Sequence, residues 1–309
     1  MLPSPMAHRP SPSLPERKLD EMLAAFPGRA GVVIRDLADG RTCAREADHR
    51  FPTASVFKVP IMVELFRQVE AGMHRFDDRH RIHRGLCRHG THVDDCAVGT
   101  TWSLLDLCER MIVHSHDVAT DLILDVIGLE SINRTMDALG FADTRVCMPI
   151  GRWHYLAIGL GDAPINDEND AIGEIRVRDG GIDFDGPAYT DREHNNVTSA
   201  RDMADMLERM RAGKLLNPAA SKQMLDMLHR CAHRGMIPRH LDPKIPVAHK
   251  HGQSARIRAD VGIVELPGRP LIISVLTLAV EEGEARPGRE LIAELSRQVV
   301  GSLCPEALN

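Results

Sequence analysis

The stretch Phe51-Pro-Thr-Ala-Ser55-Val-Phe-Lys58-Val-Pro60, followed by the apolar run Ile61-Met-Val-Glu-Leu-Phe66, organises this chain. A helix that begins near Ser55 places the residue three positions later on the same face, so the Lys58 amine can reach the Ser55 hydroxyl. A serine needs a neighbouring base to become a nucleophile, and a lysine serves only when desolvation or a nearby cation keeps it neutral. Taken alone, the pair fits a helix cap followed by a solvated lysine better.

Two later segments reverse that preference. Residues 111–124 contain Ser115-His116-Asp117, and residues 248–253 contain Lys250-His251-Gly252 before a run typical of a strand. The motifs S-x-x-K, S-D-N and K-T-G, in that order, are the signature of class A β-lactamases and penicillin-binding proteins. With the phrases at residues 195–204 and 260–268, the sequence resembles the class A β-lactamase-like serine hydrolases of the β-lactamase and penicillin-binding protein superfamily, from about residue 29 to 302.

The resemblance implies a role for each motif residue. Ser55 would attack a carbonyl carbon and form an acyl-enzyme, with Lys58 as general base or part of the proton relay. Ser115 would pass the proton to the leaving group, and Lys250 would keep the pocket positive. The backbone N–H groups of Ser55 and Gln253 would form the oxyanion hole.

Asp117 departs from the family pattern, which usually has an amide at this position. A neutral amide donates to a substrate carbonyl, whereas an ionised carboxylate does not, and a carboxylate near Lys58 favours the ammonium form. Three explanations stay open: Asp117 is protonated, it pairs with Lys250, or the substrate lacks the usual acylamino group. The preceding His116 is expected to be structural.

His251 is a second departure, because it replaces a hydroxyl residue. With Gly252 it belongs to the predicted substrate-binding set, and an imidazole still donates to a carboxylate. We expect His251, Lys250 and Arg258 to form an anion site for a small-molecule substrate that bears a carboxylate. A salt bridge to Asp260 or a solvated turn is the equally weighted alternative for Arg258.

The third departure concerns hydrolysis of the acyl-enzyme. The family's β-lactamases use a glutamate in an E-x-x-L-N loop, and no such pattern occurs between Cys147 and Asn196. Glu193 is a possible deacylation base by its place in the chain, although a loop charge is the favoured interpretation. The leading hypothesis is therefore hydrolysis of a β-lactam or related amide. An esterase or D-amino-acid peptidase, and a protein that binds such ligands and releases them slowly, are the alternatives.

Hydrophobic periodicity predicts an α+β fold with an antiparallel sheet, N- and C-terminal flanking helices and an inserted all-helical lobe. We expect a disordered tail at 1–14, a sheet lobe from 15–54 plus 245–303, and a helical lobe at 55–244 with a polar insertion at 151–196. The predicted elements are helices at 14–26, 55–71, 103–113, 117–127, 130–139, 199–211, 217–229 and 289–300, and strands at 30–37, 41–45, 247–250, 260–266 and 271–278.

Composition narrows the remaining classes. The chain has 309 residues, and its net charge of −6 argues against a nucleic-acid partner. No apolar run approaches the roughly 20 residues of a membrane helix, and no signal peptide is visible, which favours the cytoplasm unless the start is misassigned, in which case export is expected. Seven scattered cysteines predict reduced thiols.

The His- and Cys-rich stretch at 80–96 is expected to be a solvated loop rather than a metal site, and no cofactor is predicted. The oligomeric state does not follow from the sequence.

Overall fold

The computed structural model describes residues 13–86, 97–191, 194–280 and 286–309. Its helices are α1 (Glu16–Ala24), α2 (Lys58–Glu70), α3 (Leu104–Val113), α4 (Asp117–Ile127), α5 (Leu129–Leu139), α6 (Ile150–Ala157), α7 (Asp167–Arg178), α8 (Ala200–Arg211), α9 (Pro218–His229) and α10 (Arg286–Leu303). Its strands are β1 (Gly28–Asp36), β2 (Thr42–Arg45), β3 (Arg50–Pro52), β4 (Arg79–Arg81), β5 (Thr101–Ser103), β6 (Val197–Ser199), β7 (Val247–Gln253), β8 (Ile257–Val264) and β9 (Leu271–Ala279).

Five strands from the two ends of the chain form an antiparallel sheet in the order β2-β1-β9-β8-β7. Among the described strands, β7 pairs with β8 alone, and the register places His251 opposite Asp260 and Lys250 opposite Val261. Strands β8 and β9 are buried along nearly their whole length. Continuous burial of this kind requires cover on both faces of the sheet.

Two hydrophobic cores supply that cover. On the outer face, Val264 and Ile273 pack with residues of α1 and α10, such as Leu19 and Leu295. On the inner face, alternate strand residues pack with the helical lobe. Helix α8 contacts β1, β8 and β9, so it joins that lobe to the sheet.

Helix α2 is the centre of the helical lobe. Ten of its residues are buried, because α3, α4, α5 and α9 all pack around it. A helix that is buried on nearly every side belongs in the middle of a bundle. Its first residue is Lys58, so the fold carries this amine into the interior.

The predicted α+β fold with an inserted helical lobe is confirmed, and most element ends agree within three residues. The polar insertion is more ordered than the sequence indicated, since it contains α6 and α7. Helix α7 carries charged residues on much of its surface, so it lacks a clear apolar stripe. Of the predicted tail, residues 1–12 lie outside the described residues, while Leu14 packs in the outer core. Among the described helices, none is long and apolar enough to cross a membrane.

Candidate active site

Ser55 lies at the junction of the two lobes. It belongs to a single 3-10 turn, Ala54–Phe57, that leads directly into α2. Ala54 adopts a φ of +41°, which is strained for a residue with a side chain. Gly252 of β7 packs against this turn: a Cβ there would lie 2.7 Å from the Thr53 carbonyl oxygen and 3.0 Å from the Ser55 nitrogen. Only a glycine lets the strand approach so closely.

The Lys58 amine turns toward the start of α4. It donates to the Ser115 carbonyl oxygen at 2.6 Å, to Ser115 Oγ at 3.2 Å and to Asp117 Oδ1 at 2.6 Å. The side chain is fully buried. An ammonium has three donors, and all three have acceptors here, one of them a carboxylate. The arrangement is that of a charged lysine, and the predicted contact with the Ser55 hydroxyl does not occur among the described hydrogen bonds.

Ser115 connects the two motif lysines. Lys250 Nζ lies 3.0 Å from Ser115 Oγ, which also accepts from Lys58. Because both amines occupy lone pairs of the oxygen, the Ser115 hydroxyl proton points elsewhere. The residue has a φ of +57°, and this left-handed conformation turns its carbonyl toward Lys58. Such strain at a non-glycine residue is typical of functional sites.

Lys250 has a different environment from Lys58. It is fully buried, and besides Ser115 it donates to the His251 carbonyl oxygen at 2.9 Å, so both acceptors are neutral. Burial lowers the pKa of Lys250 to about 8. Lys250 therefore gives up its proton near pH 8.

Asp117 pairs with Lys58, and not with Lys250 as one of the sequence alternatives proposed. Burial opposes ionisation, but the Lys58 ammonium outweighs it and lowers the pKa of Asp117 below its usual value. The alternative of a protonated Asp117 is therefore wrong as well. His154 Nε2 lies 3.8 Å from the other carboxylate oxygen. His116 accepts a hydrogen bond from Ala119 N and so caps α4, as the structural interpretation predicted.

The predicted anion site of Lys250, His251 and Arg258 does not form. Adjacent strand residues point to opposite faces, so His251 lies on the face of β7 away from Lys250, stacked on His233 at 4.2 Å. Burial, and then the charge of Lys250, lower the pKa of His251 far below its usual value, which leaves it neutral. Arg258 donates to the Ser254 and Ile257 carbonyl oxygens.

The alternative salt bridge between Arg258 and Asp260 is also wrong, because Asp260 has other partners. His249 Nδ1 donates to Asp260 Oδ1 at 2.8 Å, and Ile237 N donates to Oδ2 at 3.0 Å. Burial opposes the charge, but the Asp260 carboxylate raises the pKa of His249 to about 10. Cys231 lies on the same side of β7, with Sγ 3.6 Å from His251 Nδ1. His249, His251, Asp260 and Cys231 thus form a cluster on one face of the sheet. The sequence indicates it by placing histidines on both sides of Lys250, because residues two apart in a strand share a face.

A cavity of about 230 Å³ opens beside β7 and is lined by α6 and the segment after Gly252. Gln253, whose N–H is the predicted second oxyanion donor, lies in its wall with His154 and Tyr189. Glu193, the sequence candidate for the deacylation base, lies outside the described residues.

The His- and Cys-rich stretch at 80–96 contains potential metal ligands. Residues 87–96 of this stretch lie outside the described part of the chain. In the described part, His83 Nε2 pairs with Asp125 Oδ2 at 2.9 Å. No cluster of three or more His, Cys, Asp or Glu side chains suited to a metal ion occurs there.

Comparisons with known proteins identify the family of the chain and relatives of its fold. A curated relative, β-lactamase AST-1 of Nocardia asteroides, is 27% identical over 278 residues, which are 89% of this chain and 79% of the relative. The crystal structure of a β-lactamase from Sphaerobacter thermophilus has a TM-score of 0.74 at 21% identity, covering 94% of this chain and 97% of the other. A PBP-A mutant in an acyl-enzyme complex with penicillin G has the same TM-score and coverages at 22% identity. The model of the beta-lactamase enzyme family matches residues 14–303. The protein therefore belongs to the beta-lactamase enzyme family.

Proposed function

We propose that this β-lactamase-like hydrolase opens a β-lactam or related amide through an acyl-enzyme on Ser55. The observation that carries the proposal is the position of Ser115 Oγ, which accepts hydrogen bonds from Lys58, three residues after Ser55, and from Lys250, on the strand that packs against the Ser55 turn. A hydroxyl between two buried amines can move a proton in either direction. The relatives named as β-lactamases, and the PBP-A complex with penicillin G, support the choice of substrate class.

In our proposal, acylation uses Lys250 rather than Lys58 as the final proton acceptor. Lys58 is committed to Asp117 as an ammonium, whereas Lys250 has two neutral acceptors and a pKa of about 8. The Ser55 proton passes to Ser115 Oγ as the Ser115 proton passes to neutral Lys250 Nζ, and Ser55 Oγ bonds to the carbonyl carbon. The same relay, run backwards, protonates the leaving nitrogen as the amide C–N bond breaks.

The oxyanion would be held by the N–H groups of Ser55 and Gln253. Gly252 brings the two segments together, since its backbone packs on the Ser55 turn. Donors fixed in this way stabilise charge that exists only in the tetrahedral intermediate. A carboxylate on the substrate stays a prediction, and acylation by a penicillin and by its methyl ester tests it.

The deciding experiment treats the protein with a fluorescent penicillin and with nitrocefin and follows the protein's intact mass. Transient labelling with turnover supports a β-lactamase. Persistent labelling indicates a slow-releasing binding protein or a peptidase, and hydrolysis of p-nitrophenyl esters without labelling indicates an esterase. Ser55→Ala should abolish the labelling, whereas the control Ser302→Ala, at the end of α10, should retain it. A labelled Ser55→Ala protein would overturn the proposal.

A further inference from the structure

Helix α6 is held in a fixed position against α4. The Asp121 carboxylate accepts hydrogen bonds from Ile150 N at 2.7 Å and Gly151 N at 3.0 Å, the first two residues of α6. The Trp153 indole donates to the Ala188 carbonyl oxygen at 3.1 Å. These bonds fix the first turn of α6 against both α4 and the segment at residues 187–189, and so they position His154, the residue after Trp153.

His154 lies in the wall of the cavity beside β7, together with the proposed oxyanion donor Gln253. Its side chain is 22% exposed. Its Nε2 lies 3.8 Å from Asp117 Oδ2, while Asp117 Oδ1 holds Lys58. The Asp117 carboxylate therefore lies between the His154 imidazole and the Lys58 amine.

An ester acyl-enzyme is released only when water attacks its carbonyl, and this step needs a base. Lys58 does not serve, because it is an ammonium in the ion pair with Asp117. An imidazole is the side chain whose unperturbed pKa, about 6.5, suits a base at neutral pH. An adjacent carboxylate stabilises the imidazolium that forms.

We propose that His154 is the general base that activates water for hydrolysis of the acyl-enzyme; this rests on the proposed acylation of Ser55. The water oxygen bonds to the acyl carbon as its proton passes to His154. The bond from that carbon to Ser55 Oγ then breaks, Ser115 gives its proton to Ser55, and Ser115 takes in exchange the second proton of the water from the carboxylic acid product. Asp117 holds the imidazolium until it loses its proton to solvent.

The groups around His154 set the expected pH dependence. Helix α4 presents Asp117, with Lys58 behind it, and Asp121, whose pKa burial raises to about 7. The segment at 187–189 presents Tyr189, whose pKa burial raises, so it is uncharged at neutral pH. We expect the rate of release to rise with pH as the imidazole loses its proton and then to level off.

The test separates acylation from release. A penicillin is mixed with the protein, free drug is removed, and intact mass follows the loss of the adduct. His154→Gln should acylate within about threefold of the wild type but release the adduct at least ~100-fold more slowly, which is the lower range for loss of a general base. Its release should also lose the rise with pH. Added imidazole should restore release in His154→Ala.

His83→Gln is the matched control, since His83 also pairs with a carboxylate of α4 but is half exposed. It should acylate and release like the wild type. A wild type that is never labelled refutes the proposed function. A wild type that keeps its label, a release rate that does not depend on pH, or an unchanged rate in His154→Gln refutes the role of His154 and leaves acylation standing. The wild-type pH profile gives a result even if the variants fold poorly.

Discussion

Asp117→Asn is the sharpest test of the charge arrangement in this site. The substitution keeps the size of the side chain and an oxygen acceptor for Lys58 but removes the negative charge. In the wild type the two groups are 2.6 Å apart, Lys58 is fully buried, and Asp117 is 18% exposed. The variant therefore leaves a buried ammonium with three neutral acceptors.

The expected loss of stability is intermediate between two limits. Removing one partner of a buried ion pair costs about 3–5 kcal/mol, whereas replacing a charged hydrogen bond by a neutral one costs about 1–2 kcal/mol. Since the amide oxygen still accepts from Lys58, we expect the free energy of unfolding at pH 7 to fall by about 2 kcal/mol. The folded state lowers the pKa of Asp117, so this stabilisation is present above about pH 4 and disappears as pH falls through the folded value.

Urea unfolding of both proteins at pH 7 and at progressively lower pH measures this difference. The gap between wild type and variant should shrink in acid, because the wild-type carboxylate becomes protonated as well. Asp125→Asn is the matched control: it is on the same helix, half exposed beside His83, and should change stability by about 0.5 kcal/mol or less. If the two variants have equal stability at pH 7, the ion pair is not the one described.

The same variant should react faster while being less stable. An amide can donate to a substrate carbonyl, and one such hydrogen bond is worth about 1 kcal/mol, or roughly fivefold in the rate of acylation by an acylamino penicillin. Release of the adduct should slow, because the imidazolium of His154 loses its carboxylate. Slower acylation in Asp117→Asn would contradict this explanation.

Three further outcomes follow from individual contacts. Acylation should speed up as pH rises through about 8, when Lys250 loses its proton. Acylation of Lys250→Arg should be slow at every pH, because a guanidinium keeps its proton. A rate that rises with pH in this variant would exclude Lys250 as the base. Gly252→Ala should slow acylation ~100-fold or more by displacing the oxyanion donors, whereas Gly40→Ala, with open space around it, should cost about 1 kcal/mol of stability without changing the acylation rate. The pKa of His249 is raised to about 10, so stability should decline between about pH 6.5 and 10 in urea titrations; Asp260→Asn should flatten this decline, and an unchanged slope would exclude the pair.

The sequence was sufficient for the architecture because its signals are local and regular. Apolar periodicity located most of the helices, and the largely apolar run at residues 271–278 predicted a strand, which is β9. Helices α6 and α7 were missed for a physical reason. Helix α6 is short and starts with the sequence Ile-Gly, so its stability comes from the Asp121 side chain, which belongs to a segment 29 residues earlier. Local patterns do not contain such tertiary support.

The sequence predicted that Lys58, Ser115 and Lys250 come together, but it did not predict the charges around them. Adjacent residues of a strand point to opposite faces, so the predicted anion site of His251 with Lys250 was wrong for a reason that the sequence itself contains. The partner of Asp117 could not be derived in that way. Two lysines of similar sequence context compete for it, and the left-handed conformation of Ser115, which brings Lys58 within reach, is a property of the folded chain.

The choice of partner by Asp117 determines the chemistry of the whole pocket. Two buried ammonium groups on one hydroxyl repel each other, and a single carboxylate neutralises only one of them. Because the carboxylate bonds to Lys58, Lys250 is left with two neutral acceptors, and burial lowers its pKa to about 8. The same carboxylate reaches His154 through its second oxygen, so it links the proposed groups for acylation and release. Relatives with the usual amide at this position lack that link, because an amide does not stabilise an imidazolium as a carboxylate does.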